Sequence, residues 1–266
     1  MINAIKRILG NKYGSDVEFE MKNIFTFGTD VGCWQDEFDK IIFEYNANDD
    51  FLGALYMSLL SVGDRGKNGI FYTPSKIVDQ ALLSISDISK LDKILDPGCG
   101  SGNFIIKLYN NLKDSGVKEN DIVSRLYGYE IDKIAVFLAK INIYKLTSNT
   151  KFSEINMYCK DFVLDADSIK FDLIIGNPPW GKKYNKHEIE LFSNQYNSDF
   201  AKSDSFAQLI LSSFYQLNTQ GQLIFILPSS ILNIAKHENI RKEILNKQLC
   251  SLPILVENSV RSLLML

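Results

Sequence analysis

Histidine is almost missing from this chain: His187 and His237 are the only two in 266 residues. So few imidazoles argue against a zinc centre. Cysteine is also sparse. Cys33, Cys99, Cys159 and Cys250 are scattered and form no C-x-x-C pair. That spacing argues against a zinc site and a disulfide framework, and reads as reduced thiols in the cytoplasm. No run reaches about 18 consecutive apolar residues, so no membrane span is expected. The leading stretch MINAIKRILGNKYG lacks the apolar core and cleavage site of a signal peptide. Strong charge of one sign is absent too, with a formal net charge of −3. A weakly acidic chain does not bind nucleic acid over its whole surface, so any such contact must be local or helped by a partner. No internal repeat or low-complexity tract occurs.

What is present is an ordinary globular composition, 45% hydrophobic and 23% charged, enough for a real core. The length fits one large α/β unit with an appendage. The first sixty-odd residues read as helices. Phe38, Ile41, Ile42 and Tyr45 recur at helical spacing. So do Phe51, Leu52, Leu55, Tyr56, Leu59 and Leu60, behind a capping pair Asp49-Asp50. The polar, glycine-rich stretch 63–69 breaks this pattern and marks a candidate boundary. A helical segment over residues 1–66 and a catalytic domain over 67–266 are expected.

Beyond the boundary, strands alternate with helices. Strand signals cover 93–96, 126–130, 155–158, 171–175 and 222–227. Helical patterns lie around Ile77–Ile85, Phe104–Lys113, Ala135–Ile143 and Phe206–Phe214. The alternation predicts an α/β fold, a doubly wound, mostly parallel sheet covered on both faces.

Two turns carry the chemistry. Asp96-Pro97-Gly98-Cys99-Gly100-Ser101-Gly102 joins the first strand to a helix. Its three glycines allow positive φ and a close approach of backbone to ligand. Ligands in such sheets sit beyond the carboxyl ends of strands, where Glu130 is placed to accept hydrogen bonds from ribose hydroxyls. Glycines at this spacing also serve dinucleotides, or no ligand at all. Asp96, however, suits a cationic or hydrogen-bond-donating ligand better than a pyrophosphate, and no Gly-Lys-Ser/Thr of the Walker type is present. Cys99 reads as a small packed residue rather than a nucleophile.

The second turn is Asn177-Pro178-Pro179-Trp180, directly after the strongest strand signal. Two prolines end the ladder and stiffen the turn. The side-chain oxygen of Asn177 and the carbonyl of Pro178 can accept both hydrogens of a planar exocyclic amine. That aims its lone pair at an electrophile without a titrating base. Trp180 offers a face on which a base can stack, worth ~1–3 kcal/mol. The plainer reading is a strand-ending turn with a core tryptophan. The glycine turn upstream, in the right topological order, favours the chemical one.

These blocks resemble the adenine-specific N6-methyltransferases of DNA, in particular the modification subunits of type I restriction systems and fused restriction–modification enzymes. The resemblance rests on Gly69-Ile70-Phe71-Tyr72-Thr73-Pro74, on Asp96 through Phe104, on Gly128-Tyr129-Glu130-Ile131-Asp132, and on Asp172 through Trp180. They span roughly residues 52–245 in that family's order, and are specific only together. The resemblance implies S-adenosylmethionine as cofactor, bound by Tyr72, Thr73, Asp96, Gly98, Gly100, Gly102, Phe104, Glu130, Ile131, Asp161, Phe162 and Asn177. It implies that Asn177, Pro178, Pro179 and Trp180 are catalytic, with no metal. It implies DNA as partner, its adenine flipped out of the duplex, alongside a specificity or restriction subunit. It also implies an antiparallel final strand.

The chain departs from the family near its end. Residues 250–266 do not look like the usual continuation, and leave little room for a full sixth and seventh strand or a target-recognition domain. A truncated or partner-dependent catalytic core is therefore expected. Methylation of an RNA base or a protein glutamine, and a non-catalytic cofactor-binding fragment, are the alternative readings. Lys182, Lys183, Lys186 and His187 read as a solvated loop, with phosphate contact by the lysines as the alternative. The leading helices read as packing against the sheet.

Overall fold

The computed structural model describes residues 1–24, 48–60, 73–165, 168–179, 184–196, 205–227, 238, 240–242, 254–256 and 263–264. The expected helix over 38–45, the boundary stretch 63–69, and Tyr72, Trp180, Lys182 and Lys183 lie outside the described residues.

Strands β1 (Ile94–Asp96), β2 (Leu126–Glu130), β3 (Asn156–Cys159), β4 (Phe171–Gly176), β5 (Leu217–Leu227), β6 (Ile254–Val256) and β7 (Leu263–Leu264) form one sheet in the order β3-β2-β1-β4-β5-β6-β7. All neighbours are parallel except β6 and β7, which are antiparallel. From β1 the chain winds outward through β2 and β3. It then returns to lay β4 on the other side of β1. The reversal opens a crevice beyond the carboxyl ends of β1 and β4, where doubly wound sheets bind ligands. The expected fold class and antiparallel final strand are both found. The last two strands are short, three and two residues long.

Strand residues alternate between two cores because successive side chains of a strand point to opposite faces. Ile94, Leu173, Ile175, Ile224 and Ile226 face one core, and Leu95, Phe171, Ile174, Leu223, Phe225 and Leu227 face the other. Nearly all are fully buried, the signature of a sheet covered on both sides.

The first face is covered by α1 (Ile2–Leu9), α2 (Ser15–Ile24), α3 (Phe51–Leu59), α4 (Ser75–Leu82), α5 (Asn103–Asp114), α6 (Glu119–Arg125) and α7 (Lys133–Tyr144). The leading helices share this core: Ala4, Ile5, Val17, Met21 and Leu52 are buried with Phe104 and Leu138. Lys140 on α7 pairs with Glu20 on α2 at 3.0 Å. Lys12 donates to the carbonyls of Tyr144, at 3.1 Å, and Thr147 at the end of α7. Carbonyls at a helix C-terminus need such donors.

The other face carries α8 (Lys186–Tyr196) and α9 (Ser205–Gln216). Lys186 and His187 thus begin a helix, exposed, rather than lying in a loop. A reciprocal cap explains the start: Asn185 Oδ1 accepts from the Glu188 N–H at 3.0 Å, and Glu188 Oε2 accepts from the Asn185 N–H at 2.6 Å. Strand β5 begins at Leu217, six residues before its apolar run at Leu223, because Phe171 of β4 pairs with Leu217 before a register shift.

Candidate active site

The turn after β1 is built around its glycines. Gly100 and Gly102 have φ of +51° and +94°, which L side chains rarely adopt. Gly102 ends the turn as the N-cap of α5, and a Cβ there would lie 3.3 Å from the Cα of Ala139. The turn is pinned to β2. The Cys99 N–H donates to the Tyr129 carbonyl at 3.0 Å, and the Gly100 N–H to Glu130 Oε2 at 3.1 Å. Cys99 is buried, its sulfur against the Cα face of Gly128. Burial pushes its thiol well above the usual range, which removes it as a nucleophile.

The turn after β4 lies directly alongside. A Cβ on Gly98 would lie 3.7 Å from Cδ of Pro179. The hydroxyl of Ser205, at the start of α9, donates to the Pro179 carbonyl at 2.7 Å. Gly176 passes so close to Asp96 that a Cβ there would fall 2.5 Å from Oδ1 and 3.6 Å from the ring of Pro97. Gly176→Ala is therefore expected to cost ~1–3 kcal/mol of stability. A thermal melt checks this, and an unchanged midpoint would contradict the packing.

Between the turns lies a cavity of about 620 Å³, counting its mouth. Its described lining includes seven of the expected residues, Thr73, Asp96, Gly98, Gly100, Phe104, Glu130 and Asn177. Others stand apart. Ile131 is half-exposed and gives its N–H to Glu130 Oε1 at 2.7 Å. Asp161 Oδ1 accepts from the N–H groups of Val163 at 2.9 Å and Leu164 at 3.4 Å, within the turn after β3. Phe162 is buried in the second core, its ring 6.2 Å from that of Tyr129. Pro178 is buried at the end of β4.

The lining also contains residues that the sequence did not mark as site residues. Asp50 caps α3 by accepting from the Gly53 N–H at 2.9 Å. It also accepts from the Ser101 hydroxyl of the glycine turn and from Asn142 Nδ2 at 2.7 Å. Tyr56, one turn further along α3, donates to Asp132 Oδ2 at 2.6 Å. Asp132 Oδ1 caps α7 through the Ile134 N–H at 2.8 Å. The helix 51–59 thus forms a wall of the cavity. Its caps were readable in the sequence, but its partners lie 51 to 92 positions away, beyond any local pattern.

Four carboxylates line the cavity, Asp50, Asp96, Glu130 and Asp132, and no lysine, arginine or histidine does so among the described residues. Asp96 is 1% exposed. Burial pushes its pKa up to about 8; the Gly98 N–H, donating at 3.2 Å, opposes this and the charge of Glu130 adds to it. Burial also raises Glu130, against three donating N–H groups from Asp132, Ile131 and Gly100. A ligand bearing positive charge would relieve this strain; a pyrophosphate would worsen it.

One polar atom in the cavity wall is unsatisfied. Asn177 donates through Nδ2 to the Thr73 hydroxyl at 3.0 Å, while its Oδ1 is buried with no hydrogen-bond partner. An unmade bond at a buried acceptor costs ~1–3 kcal/mol, which a donor from a ligand or a water would offset. Among the described residues no group of three or more His, Cys, Asp or Glu is arranged to hold a metal, and no helix is long and apolar enough to cross a membrane.

The chain has relatives among known proteins. A profile of the family described as N-6 DNA Methylase matches residues 47–259. The chain is 32% identical over 204 residues to the Type II methyltransferase M.VspI of Vibrio sp. (strain 343), a match covering 76% of this chain and 47% of that protein. The chain therefore spans less than half the length of that relative. A Listeria monocytogenes protein assigned to the class I S-adenosylmethionine-dependent methyltransferases superposes with a TM-score of 0.57 at 19% identity, over 80% of this chain and 64% of that one. The ATP-dependent Type ISP restriction–modification enzyme LlaBIII, bound to DNA, superposes with a TM-score of 0.66 at 18% identity, over 92% of this chain and 21% of that one. At these identities the structural likeness is one of fold.

Proposed function

The chain belongs to the N-6 DNA methylase family, and from that premise we propose that it transfers a methyl group from S-adenosylmethionine to the exocyclic N6 of adenine in DNA. The observation that carries this reading is the buried, unpartnered Oδ1 of Asn177 in the cavity wall. It is an acceptor waiting for an N–H donor, and an exocyclic amine is such a donor.

The cavity fits the cofactor in charge: four carboxylates line it and, among the described residues, no basic side chain does. Asp96 would hold the amino group, Glu130 the ribose hydroxyls, and the backbone of Gly98 to Gly100 would lie against the ligand. When bound, S-adenosylmethionine supplies a methyl group activated on a sulfonium.

The chain's own residues supply positioning. Asn177 Oδ1 accepts one hydrogen of the amine and the Pro178 carbonyl accepts the other, which directs the nitrogen lone pair along the transfer path. Neither group titrates. The proton released from the methylated nitrogen passes to water, so no general base is required. Holding donor and acceptor in line is the main source of acceleration. Trp180 serves as the stacking face for a base turned out of the duplex. The methylase subunit of the Type I restriction enzyme MjaVII, 28% identical over 221 residues, supports a place in a restriction system beside other subunits.

Incubation with tritiated S-adenosylmethionine and DNA, RNA or protein acceptors tests this. Label is expected in DNA. Label in RNA or protein, with none in DNA, would overturn the assignment of the acceptor.

A further inference from the structure

Asn142 is a polar side chain in an apolar place. It lies in α7 between the buried Ile141 and Ile143, with 0% exposure. A buried carboxamide is costly unless its hydrogen bonds are made. Here they are made across three segments of the chain. Nδ2 donates to the Ser101 carbonyl at 2.8 Å and to Asp50 Oδ1 at 2.7 Å. Oδ1 accepts from Lys145 Nζ at 2.8 Å, and Lys145 also donates to the Asp49 carbonyl at 2.9 Å. A backbone carbonyl only accepts and an ammonium only donates, so the amide has one orientation.

The bond to Ser101 reaches the glycine turn. Ser101 stands between Gly100 and Gly102, both at positive φ. Glycines give a turn its path but not its rigidity, so the peptide leading into α5 needs an outside hold. One face of α7 provides it, because residues three apart on a helix are neighbours. Ala139 lies against the backbone of Gly102, and Asn142 bonds the carbonyl of Ser101. From another side α3 closes on the same residue: a Cβ on Gly53 would fall 1.9 Å from Ser101 Oγ and 2.2 Å from Asp50 Oδ2. Resting on the methyl-transfer reading above for the ligand, we propose that Asn142 is a positioning residue for the cofactor turn. It holds Ser101 so that residues 98–102 keep the shape that receives S-adenosylmethionine. Asn142 is not part of the cavity's described lining and acts only through the turn.

Asn142→Leu nearly keeps the volume and removes every one of these bonds. The Kd for S-adenosylmethionine should rise roughly 10- to 100-fold, the loss expected when buried partners are left unpaired. Turnover at saturating cofactor should stay within about threefold, because the turn after β4 is not disturbed. Leu112→Ala, fully buried in the same core towards the far end of α5, is the control for lost stability alone. Its Kd should stay within about twofold where the protein remains folded, since distant sites act independently. Gly53→Ala presses on Ser101 from α3, and alanine is the better helix former. Its Kd should nonetheless rise by about fivefold or more. Wild-type affinity in either folded variant would overturn the proposal, as would an equal loss in Leu112→Ala. If Asn142→Leu does not fold, Gly53→Ala carries the test.

Amide hydrogen exchange gives a readout that needs no cofactor. The Gly100 and Gly102 N–H groups donate to Glu130 Oε2 at 3.1 Å and to the Cys99 carbonyl at 2.8 Å. Their exchange should quicken by about tenfold or more in Asn142→Leu and not in Leu112→Ala, because the opening is local to the turn. Unchanged exchange in Asn142→Leu would refute the proposal even if methyl transfer is established. Quickened exchange, in a protein whose wild type binds no S-adenosylmethionine, would uphold the geometry and sink the function.

Discussion

Asn177→Ala is expected to slow methyl transfer by about 10²–10³-fold, the usual loss when one preorganised hydrogen-bonding group is removed from a reacting centre. Cofactor affinity should change by less than about threefold, because Asn177 is assigned to the acceptor. Single-turnover transfer rates and calorimetry with S-adenosylmethionine separate the two. The fold should barely respond. The substitution removes the bond to Thr73, worth about 1 kcal/mol, but also removes a buried carbonyl that has no partner. Equal losses of rate and cofactor affinity would mean that Asn177 belongs to the cofactor subsite instead.

Asp96→Asn should do the opposite: weaken the cofactor and strengthen the free protein. Asp96 has its pKa raised from 3.8 to about 8 by burial. The folded state therefore keeps a proton that the unfolded chain releases. The contribution to stability is complete below about pH 4 and is lost as pH rises towards 8. Asparagine has the same shape, can accept the Gly98 N–H, and has no charge to bury. The variant should match the wild type near pH 4 and be more stable at pH 8 by on the order of 2–5 kcal/mol. Thermal melts across that range provide the check.

Binding carries the complementary sign. A cationic ligand prefers the ionised carboxylate, so wild-type affinity should improve as pH rises towards 8, with a proton released on binding. Asp96→Asn should bind roughly 10- to 100-fold more weakly, the worth of a hydrogen bond to a charged group. It should also lose the part of the pH slope that comes from the protein, leaving only that of the ligand's own amine. Calorimetry in two buffers of different ionisation heat reads both effects. A wild type and variant with the same slope would show that Asp96 does not face the charge.

The sequence announced this site unevenly, for physical reasons. The two turns were readable because their chemistry is local. Glycines, a carboxylate and paired prolines sit at strand ends, where strong apolar runs stop. The sheet is readable because the ends of β4 and β5, residues 173–175 and 223–227, are buried on both faces and therefore apolar at every position. What remained hidden was long-range. Asp50 was visible as a helix cap, but nothing near it in sequence foretold its bonds to Ser101 and Asn142. Thr73 was marked for the cofactor, yet its bond to Asn177 spans 104 positions. The reciprocal cap of Asn185 and Glu188 is legible as an Asn-x-x-Glu pair, and it puts Lys186 and His187 on a helix rather than in the expected loop. The short β6 and β7 carry too few residues to show a period.

The central claim is that the carbonyl oxygen of Asn177 receives the exocyclic amine of adenine. Hydrolysis of DNA methylated by the protein, followed by mass spectrometry of the nucleosides, tests it most directly. The expected product is N6-methyl-2′-deoxyadenosine, formed by the wild type and lost in Asn177→Ala. Methylated cytosine in its place, or N6-methyladenine at an undiminished rate in Asn177→Ala, would contradict it.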